Sequence, residues 1–167
     1  MREVPVGEAL ALKYPEWVVW VIGRDGEGKP DIMPAGWCMV CNGTPVMMAV
    51  SVGFGRYTHT CIEETGEFIL AWPGEGQEKL VDQCGSCSGR DTDKFQKFKL
   101  ATTPAKQVDV PLLEGCVAAL ECLVVSQLEL EDHSIFVGEV VAAHVADSPV
   151  GKLENFNGKY AVAKPAG

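Results

Sequence analysis

Short apolar runs alternate along the chain with turns marked by glycine and proline. Trp17-Val18-Val19-Trp20-Val21-Ile22-Gly23 is rich in β-branched and aromatic residues and predicts a buried strand. Arg24-Asp25-Gly26-Glu27-Gly28-Lys29-Pro30 is turn chemistry, in which Asp-Gly supplies positive φ and proline fixes the exit. Strand character resumes from Asp31 to about Val40. It turns at Asn42-Gly43-Thr44-Pro45 and returns in the conspicuously apolar stretch from Val46 to Val52. Phe68-Ile69-Leu70-Ala71-Trp72 is a further strand, stopped by Pro73-Gly74. A short strand is expected over 105–108. Two long strands follow, over 115–129 and 134–146, with Leu120, Cys122, Val124 and Ser126 on one face of the first.

Helical signals are brief. Residues 6–12 predict a short helix with Val6, Leu10 and Ala11 on one side, ended by Pro15. Residues 57–65 predict another, closed by Gly66, and 77–84 a third with Leu80 and Val81 inward. The last lies near 92–98, capped by Asp91 or Thr92, with Asp93 favouring its N-terminal dipole. Many strands joined by short turns, with small helical insertions, predict a mainly β barrel or sandwich. The expected organisation is an N-terminal segment over 1–14, one domain over 15–147, and a tail over 148–167. The tail, with Pro149, Gly151, Gly158 and Pro165, is expected to lie on the domain or on a partner subunit.

Composition narrows the function classes. The chain has 167 residues, 47% hydrophobic and 22% charged, which suits a single domain with its own core and excludes wholesale disorder. Lys and Arg number 14 against 23 Asp and Glu, for a net charge of −9. That argues against a binder of nucleic-acid backbone, but leaves room for a local basic pocket. No apolar run reaches the roughly 18–20 residues of a membrane span. Met1-Arg2-Glu3-Val4-Pro5 lacks the apolar stretch of a secretory signal, so a cytoplasmic location is expected.

The odd count of 7 cysteines cannot pair completely within one chain. Cys38-x-x-Cys41 and Cys84-x-x-Cys87 could together offer four thiolates to zinc or iron. The gap from Cys41 to Cys84 is long for such a site, however, and residues three apart on a strand face opposite ways. Cys84-x-x-Cys87 could instead be a redox dithiol, its thiolate favoured by Arg90. Buried or incidental thiols are the favoured reading.

Four segments carry candidate chemistry. Ala35-Gly36-Trp37 lies inside a strand end. Ser51-Val52-Gly53-Phe54-Gly55-Arg56-Tyr57-Thr58 joins a strand to a helix through a glycine-punctuated loop; exposed amides, hydroxyls and an Arg fork there suit a phosphate. The plain alternative is a capped helix with Arg56 solvated. Cys84-Gly85-Ser86-Cys87-Ser88-Gly89-Arg90-Asp91-Thr92-Asp93-Lys94-Phe95 places Arg90 and Lys94 where an anion could meet them. In Asp132-His133-Ser134, His133 is either a solvated turn residue or a group that donates a hydrogen bond to a cofactor or moves a proton.

The order and spacing of these segments, from about Pro15 to Ala146, resemble the flavin reductase-like family, which includes the flavoredoxins. Thr44-Pro45, Arg56-Tyr57-Thr58, Gly66-Glu67-Phe68, Ser88-Gly89-Arg90 with Asp93-Lys94-Phe95, and Asp132-His133 followed by Ile135-Phe136-Val137-Gly138-Glu139-Val140 carry the resemblance, together with Trp37 after the Asp-Gly hairpin. It implies an antiparallel split β-barrel of the FMN-binding, Greek-key type, in a homodimer with FMN near the interface. It implies that Ala35, Gly36, Trp37 and Cys38 face the isoalloxazine ring and that Ser51, Val52 and Gly53 line the ribityl chain. Arg56 and Thr58 would hold the phosphate, with Ser88, Arg90 and Lys94 reaching the flavin from their loop, Lys94 towards the phosphate. His133 would lie over the ring as the catalytic residue nearest an NAD(P)H donor. Electrons would pass from NAD(P)H through FMN to free flavin, ferric complexes or a partner protein. A flavoredoxin-type carrier without its own NAD(P)H oxidation is the alternative, and a metal-thiolate protein on the same scaffold is another. Cys38-Met39-Val40-Cys41 departs from the family pattern, where small polar residues are expected.

Overall fold

The computed structural model describes residues 1–148 and 151–164. Seven strands form one antiparallel sheet in the spatial order β3-β2-β6-β9-β10-β5-β4. They are β2 (Val19–Arg24), β3 (Pro30–Ala35), β4 (Cys38–Gly43), β5 (Val46–Gly53), β6 (Glu67–Pro73), β9 (Cys116–Glu129) and β10 (His133–Val145). The two edge strands, β3 and β4, are consecutive in the chain and separated only by Gly36-Trp37. A link that short forces the sheet to curl until its edges meet without pairing. The result is an antiparallel split barrel with its split at Gly36-Trp37, as the resemblance implied.

The apolar runs are unbroken because the central strands are buried on both faces. In β2, Val19 and Val21 enter one core while Trp20 and Ile22 enter the other. In β6, Phe68 and Leu70 divide from Ile69 and Ala71 in the same way. The inner core also takes Met48, Val50 and Val52 from β5, Cys122 from β9 and Phe136 from β10. Ile62 reaches it from α2 (Tyr57–Thr65). The outer core is covered by α3 (Glu78–Gly85), α4 (Lys94–Phe98) and the segment around Val108 and Val110. The apolarity of the 46–50 stretch is mostly met within this chain: Met48, Ala49 and Val50 are buried and Val46 is exposed.

Several sequence expectations change. The strand expected from Asp31 to Val40 is two strands, broken at Gly36-Trp37. No strand forms over 105–108; the amides of Lys106, Gln107 and Val108 donate instead to the Glu121 carboxylate, which also contacts His144 Nε2 at 2.6 Å. Ser126 leaves the face shared by Leu120, Cys122 and Val124, because a β-bulge falls between Val124 and Ser126 and reverses the alternation. The helix near 92–98 starts at Lys94 and is capped by Asp93, whose Oδ1 accepts from the Gln96 amide at 2.9 Å. The first helix, α1 (Val6–Leu10), has no buried residue, so its apolar side faces outward. By contrast, α2 begins and ends where the sequence placed it, with Gly66 left-handed at its C-cap.

The tail residues within the described range form β11 (Lys152–Asn155) and β12 (Tyr160–Ala163), which pair with β1 (Glu16–Trp17) in a small antiparallel sheet. Leu153 is fully buried in the outer core. Pro149 and Pro165 lie outside the described residues. Two short strands, β7 (Thr102–Thr103) and β8 (Leu112–Leu113), complete the list.

Candidate functional site

Two segments each line two cavities. The first passes from β3 through the split into β4, and the second from β5 into α2. One cavity, of about 300 Å³, is lined by Met33 and Pro34 from the first segment and by Gly55, Arg56 and Thr58 from the second. Ser86, Cys87 and Ser88 close it from the loop after α3, and Lys94 from the first turn of α4. The other cavity, of about 350 Å³, is lined by Gly36, Trp37 and Cys38 from the first segment and by Ala49 and Ser51 from the second, with Lys13, Glu16 and Ile135. Its wall is mainly apolar, whereas the first carries hydroxyls and cations.

The structure brings most of the sequence-predicted residues to these cavities. Arg56 stands exposed at the N-cap of α2, on the rim of the first. Thr58 and Lys94 are buried in its floor, and both are engaged by a residue that sequence reading missed. Thr58 Oγ1 donates to Asp31 Oδ2 at 2.6 Å. Lys94 Nζ lies 3.0 Å from Asp31 Oδ1 and donates to the Ile32 carbonyl at 2.6 Å. Ser88 Oγ accepts from the Arg90 amide, shaping the loop. Arg90 lines neither cavity: its guanidinium donates to Thr60 Oγ1 at 3.1 Å and lies over the Tyr57 ring, 5.4 Å from the centroid. The only sign of Asp31 in sequence was an acid opening an apolar strand, and the adjacent turn explains that equally well.

Tyr57 fixes the α2 side of the cavity. Its hydroxyl donates to Asp25 Oδ2 at 2.5 Å. That bond raises the Tyr57 pKa, with burial adding to the shift. The same bond lowers the Asp25 pKa, helped by backbone amides of the hairpin turn and opposed by burial. Lys29 Nζ also lies over this ring, 5.1 Å from the centroid, and donates to the Gly89 carbonyl at 2.5 Å. The loop after α3 is thereby tied to the β2–β3 turn.

The second cavity is built around the split. Trp37 is 58% exposed, and its ring meets that of His133 at 5.1 Å between centroids. His133 Nδ1 lies 2.7 Å from Asp132 Oδ1, so a proton on Nδ1 is held there and Nε2 is left on the Gly53 side. The Ser51 amide donates to the Trp37 carbonyl at 2.9 Å, locking the split to β5. A β-carbon on Gly36 would stand 2.6 Å from Glu16 Oε1, so glycine lets β1 pack behind the split. Ala35 packs on the inner core and the Val52 side chain is buried within it, which leaves Val52 only backbone groups to offer a ligand.

The cysteines do not converge. Among the described residues, no three of His, Cys, Asp or Glu are arranged to hold a metal ion. Cys41 is exposed and sits at a bulge in β4. Cys84 does not fit the redox-dithiol reading: burial pushes its thiol up to about 12, and Arg90 is turned away onto α2.

These features match a known domain. The family model described as "Flavin reductase like domain" matches residues 11–164. The chain belongs to the flavin reductase-like family. A protein of Archaeoglobus fulgidus described only as uncharacterized is 40% identical over 116 residues, covering 70% of this chain and 66% of that protein. The FMN-binding protein of Thermus thermophilus, solved with bound p-hydroxybenzaldehyde, superposes with a TM-score of 0.86 at 27% identity, covering 99% of this chain and 98% of that one. The flavoredoxin of Methanosarcina acetivorans superposes with a TM-score of 0.85 at 26% identity, covering 100% of this chain and 94% of that one. No helix among the described residues is long and apolar enough to cross a membrane.

Proposed function

We propose that the protein binds FMN along the two cavities and uses it to carry electrons from NAD(P)H to a second acceptor. The observation that carries this reading is the pair of segments shared by both cavities. They connect a cation- and hydroxyl-lined end to an apolar end beside two aromatic rings, which are the needs of a molecule with a phosphate at one end and a flat ring system at the other. The residues present therefore fit the group. FMN, when bound, supplies the hydride- and electron-transfer chemistry, and the protein supplies binding, orientation and electrostatics.

In this reading the Arg56 guanidinium grips the phosphate as a fork, which a −9 protein needs at only one place. Ser86 and Ser88 offer hydroxyls and Gly55 leaves the backbone open to approach. Gly53, Val52 and Ser51 run beside the ribityl chain. Gly36, Trp37 and Cys38 form the ring's bed, and the Trp37 indole shields it from water. His133, oriented by Asp132, stands nearest the donor and holds or moves a proton at Nε2. Arg90 and Thr58 act by fixing α2 and the loop rather than by touching phosphate. Trp37, Met39, Val40 and Val46 are exposed along the β4–β5 edge, and this supports a homodimer that covers them and closes the ring site.

The likeness to a flavoredoxin supports a second reading, a carrier that receives electrons from a redox partner and does not oxidise NAD(P)H itself. Steady-state oxidation of NADH and NADPH by the FMN-loaded protein, with free flavin or a ferric chelate as acceptor, separates the two. Turnover with either nucleotide supports the reductase. FMN binding without turnover supports the carrier.

A further inference from the structure

Four segments meet at Asp31. β3 carries it, α2 brings Thr58, the loop after α3 brings Gly89, and α4 brings Lys94. Asp31 and Lys94 have side chains only 1% and 3% exposed. Asp31 Oδ2 accepts a hydrogen bond from the Thr58 hydroxyl. Asp31 Oδ1 accepts no hydrogen bond among the described residues, although the Lys94 ammonium stands 3.0 Å away. A β-carbon on residue 89 would collide with that same oxygen, so Gly89 is what lets the loop close over the carboxylate.

Withdrawing a carboxylate and an ammonium from water costs several kcal/mol per ion, and apolar residues of similar volume often stabilise a fold as well or better. This pair, however, lines a cavity. Lys94 has three N–H donors. One goes to the Ile32 carbonyl, while the ammonium pairs with Asp31 Oδ1 by charge without a hydrogen bond, which leaves N–H donors for a ligand. Thr58 has one O–H and directs it at Asp31, so it does not also donate to an anion.

We propose that Asp31 is the positioning residue for the phosphate end of the site: its charge holds the Lys94 ammonium at the cavity so that the free N–H donors face a phosphate monoester beside Arg56, and so sets a preference for phosphorylated over unphosphorylated flavin. This rests on the flavin reading above. The carboxylate itself does not touch the ligand. It acts through Lys94, Thr58 and the Gly89 loop.

The test compares FMN with riboflavin, which lacks the phosphate, by fluorescence titration of the wild-type protein and of Asp31→Ala, Lys94→Ala and the double variant. Thermal melting serves as the fold control. Wild type is expected to bind FMN at least about tenfold more tightly than riboflavin, as a charge-assisted phosphate contact requires. Asp31→Ala is expected to remove most of that preference while riboflavin affinity stays within about twofold. The double variant should be no worse than Lys94→Ala, because the two residues act as one unit. Equal losses for FMN and riboflavin would show a merely structural role and overturn the proposal, as would an unchanged ratio. A wild type that binds both flavins equally overturns it while leaving the flavin reading intact. A wild type that binds neither overturns both. If Asp31→Ala does not fold, Asp31→Asn, which keeps an acceptor for Thr58 but loses the charge, is judged by the same ratio.

Discussion

The Trp37 indole and the His133 imidazole face each other at 5.1 Å, inclined by 34°, and so join the split of the barrel to the turn between its two longest strands. Neither ring is in the core. Trp37 is exposed, and His133 is oriented from behind by Asp132.

The two rings should therefore separate binding from reduction. Trp37→Ala is expected to weaken FMN binding by about three- to tenfold, the worth of one aromatic contact. His133→Ala is expected to slow reduction by NAD(P)H by a larger factor than it weakens FMN binding. Stopped-flow reduction alongside equilibrium titration checks both. Equal losses of rate and affinity in His133→Ala would count against its assigned place near the donor.

The buried Asp31–Lys94 pair predicts an asymmetry in stability. Lys94→Met leaves an uncompensated buried carboxylate and is expected to cost about 3–5 kcal/mol in urea unfolding. Asp31→Leu combined with Lys94→Met leaves no buried charge and should be more stable than Lys94→Met alone. A double variant less stable than the single would show that the pair is needed for the fold itself.

What the sequence disclosed follows from the range of each signal. The α2 helix was legible to the residue because its glycine cap lies within the segment. The strands of the barrel were legible because residues buried on both faces give apolar runs. The break at Gly36-Trp37 was not, since it arises from closure of the sheet, a relationship between the two ends of the strand order. Residues 105–108 look like a strand locally, and only the distant Glu121 carboxylate shows where their amides go. The cation, hydroxyl and glycine positions of the first cavity were found from local loop chemistry. Asp31 was not, because its meaning depends on Thr58 and Lys94 arriving from other elements, and the contacts of Arg90 with Thr60 and the Tyr57 ring were hidden for the same reason.

Glu121 predicts part of the acid sensitivity. Burial alone would raise its pKa, but the Lys106, Gln107 and Val108 amides and His144 outweigh it and hold the carboxyl below its usual 4.5. A depressed folded-state pKa means that the stabilisation is fully present above about pH 4.5 and is lost as pH falls through the lower, folded-state value. Glu121→Gln should accordingly be less stable than wild type at pH 7, with the difference shrinking below pH 4.5. Urea midpoints measured across that range check it; a gap that stays constant with pH would contradict the assignment.

The thiols should divide into two classes. Cys41 is exposed and should react first with an aromatic disulfide reagent. Cys61, Cys84 and Cys122, which are buried and whose thiols burial pushes up to about 12, should react only on unfolding. Mass mapping of the labelled protein checks the order. Early labelling of Cys84 would reopen the dithiol reading.

The central claim is that this fold holds FMN. Its most direct test is an equilibrium titration of the purified, flavin-free protein with FMN, followed by flavin fluorescence and visible absorption and repeated with Arg56→Ala. Saturation near one FMN per chain, weakened at least about tenfold by Arg56→Ala as loss of a charge-assisted contact predicts, is the result this account requires. No saturable binding by the wild-type protein would contradict it.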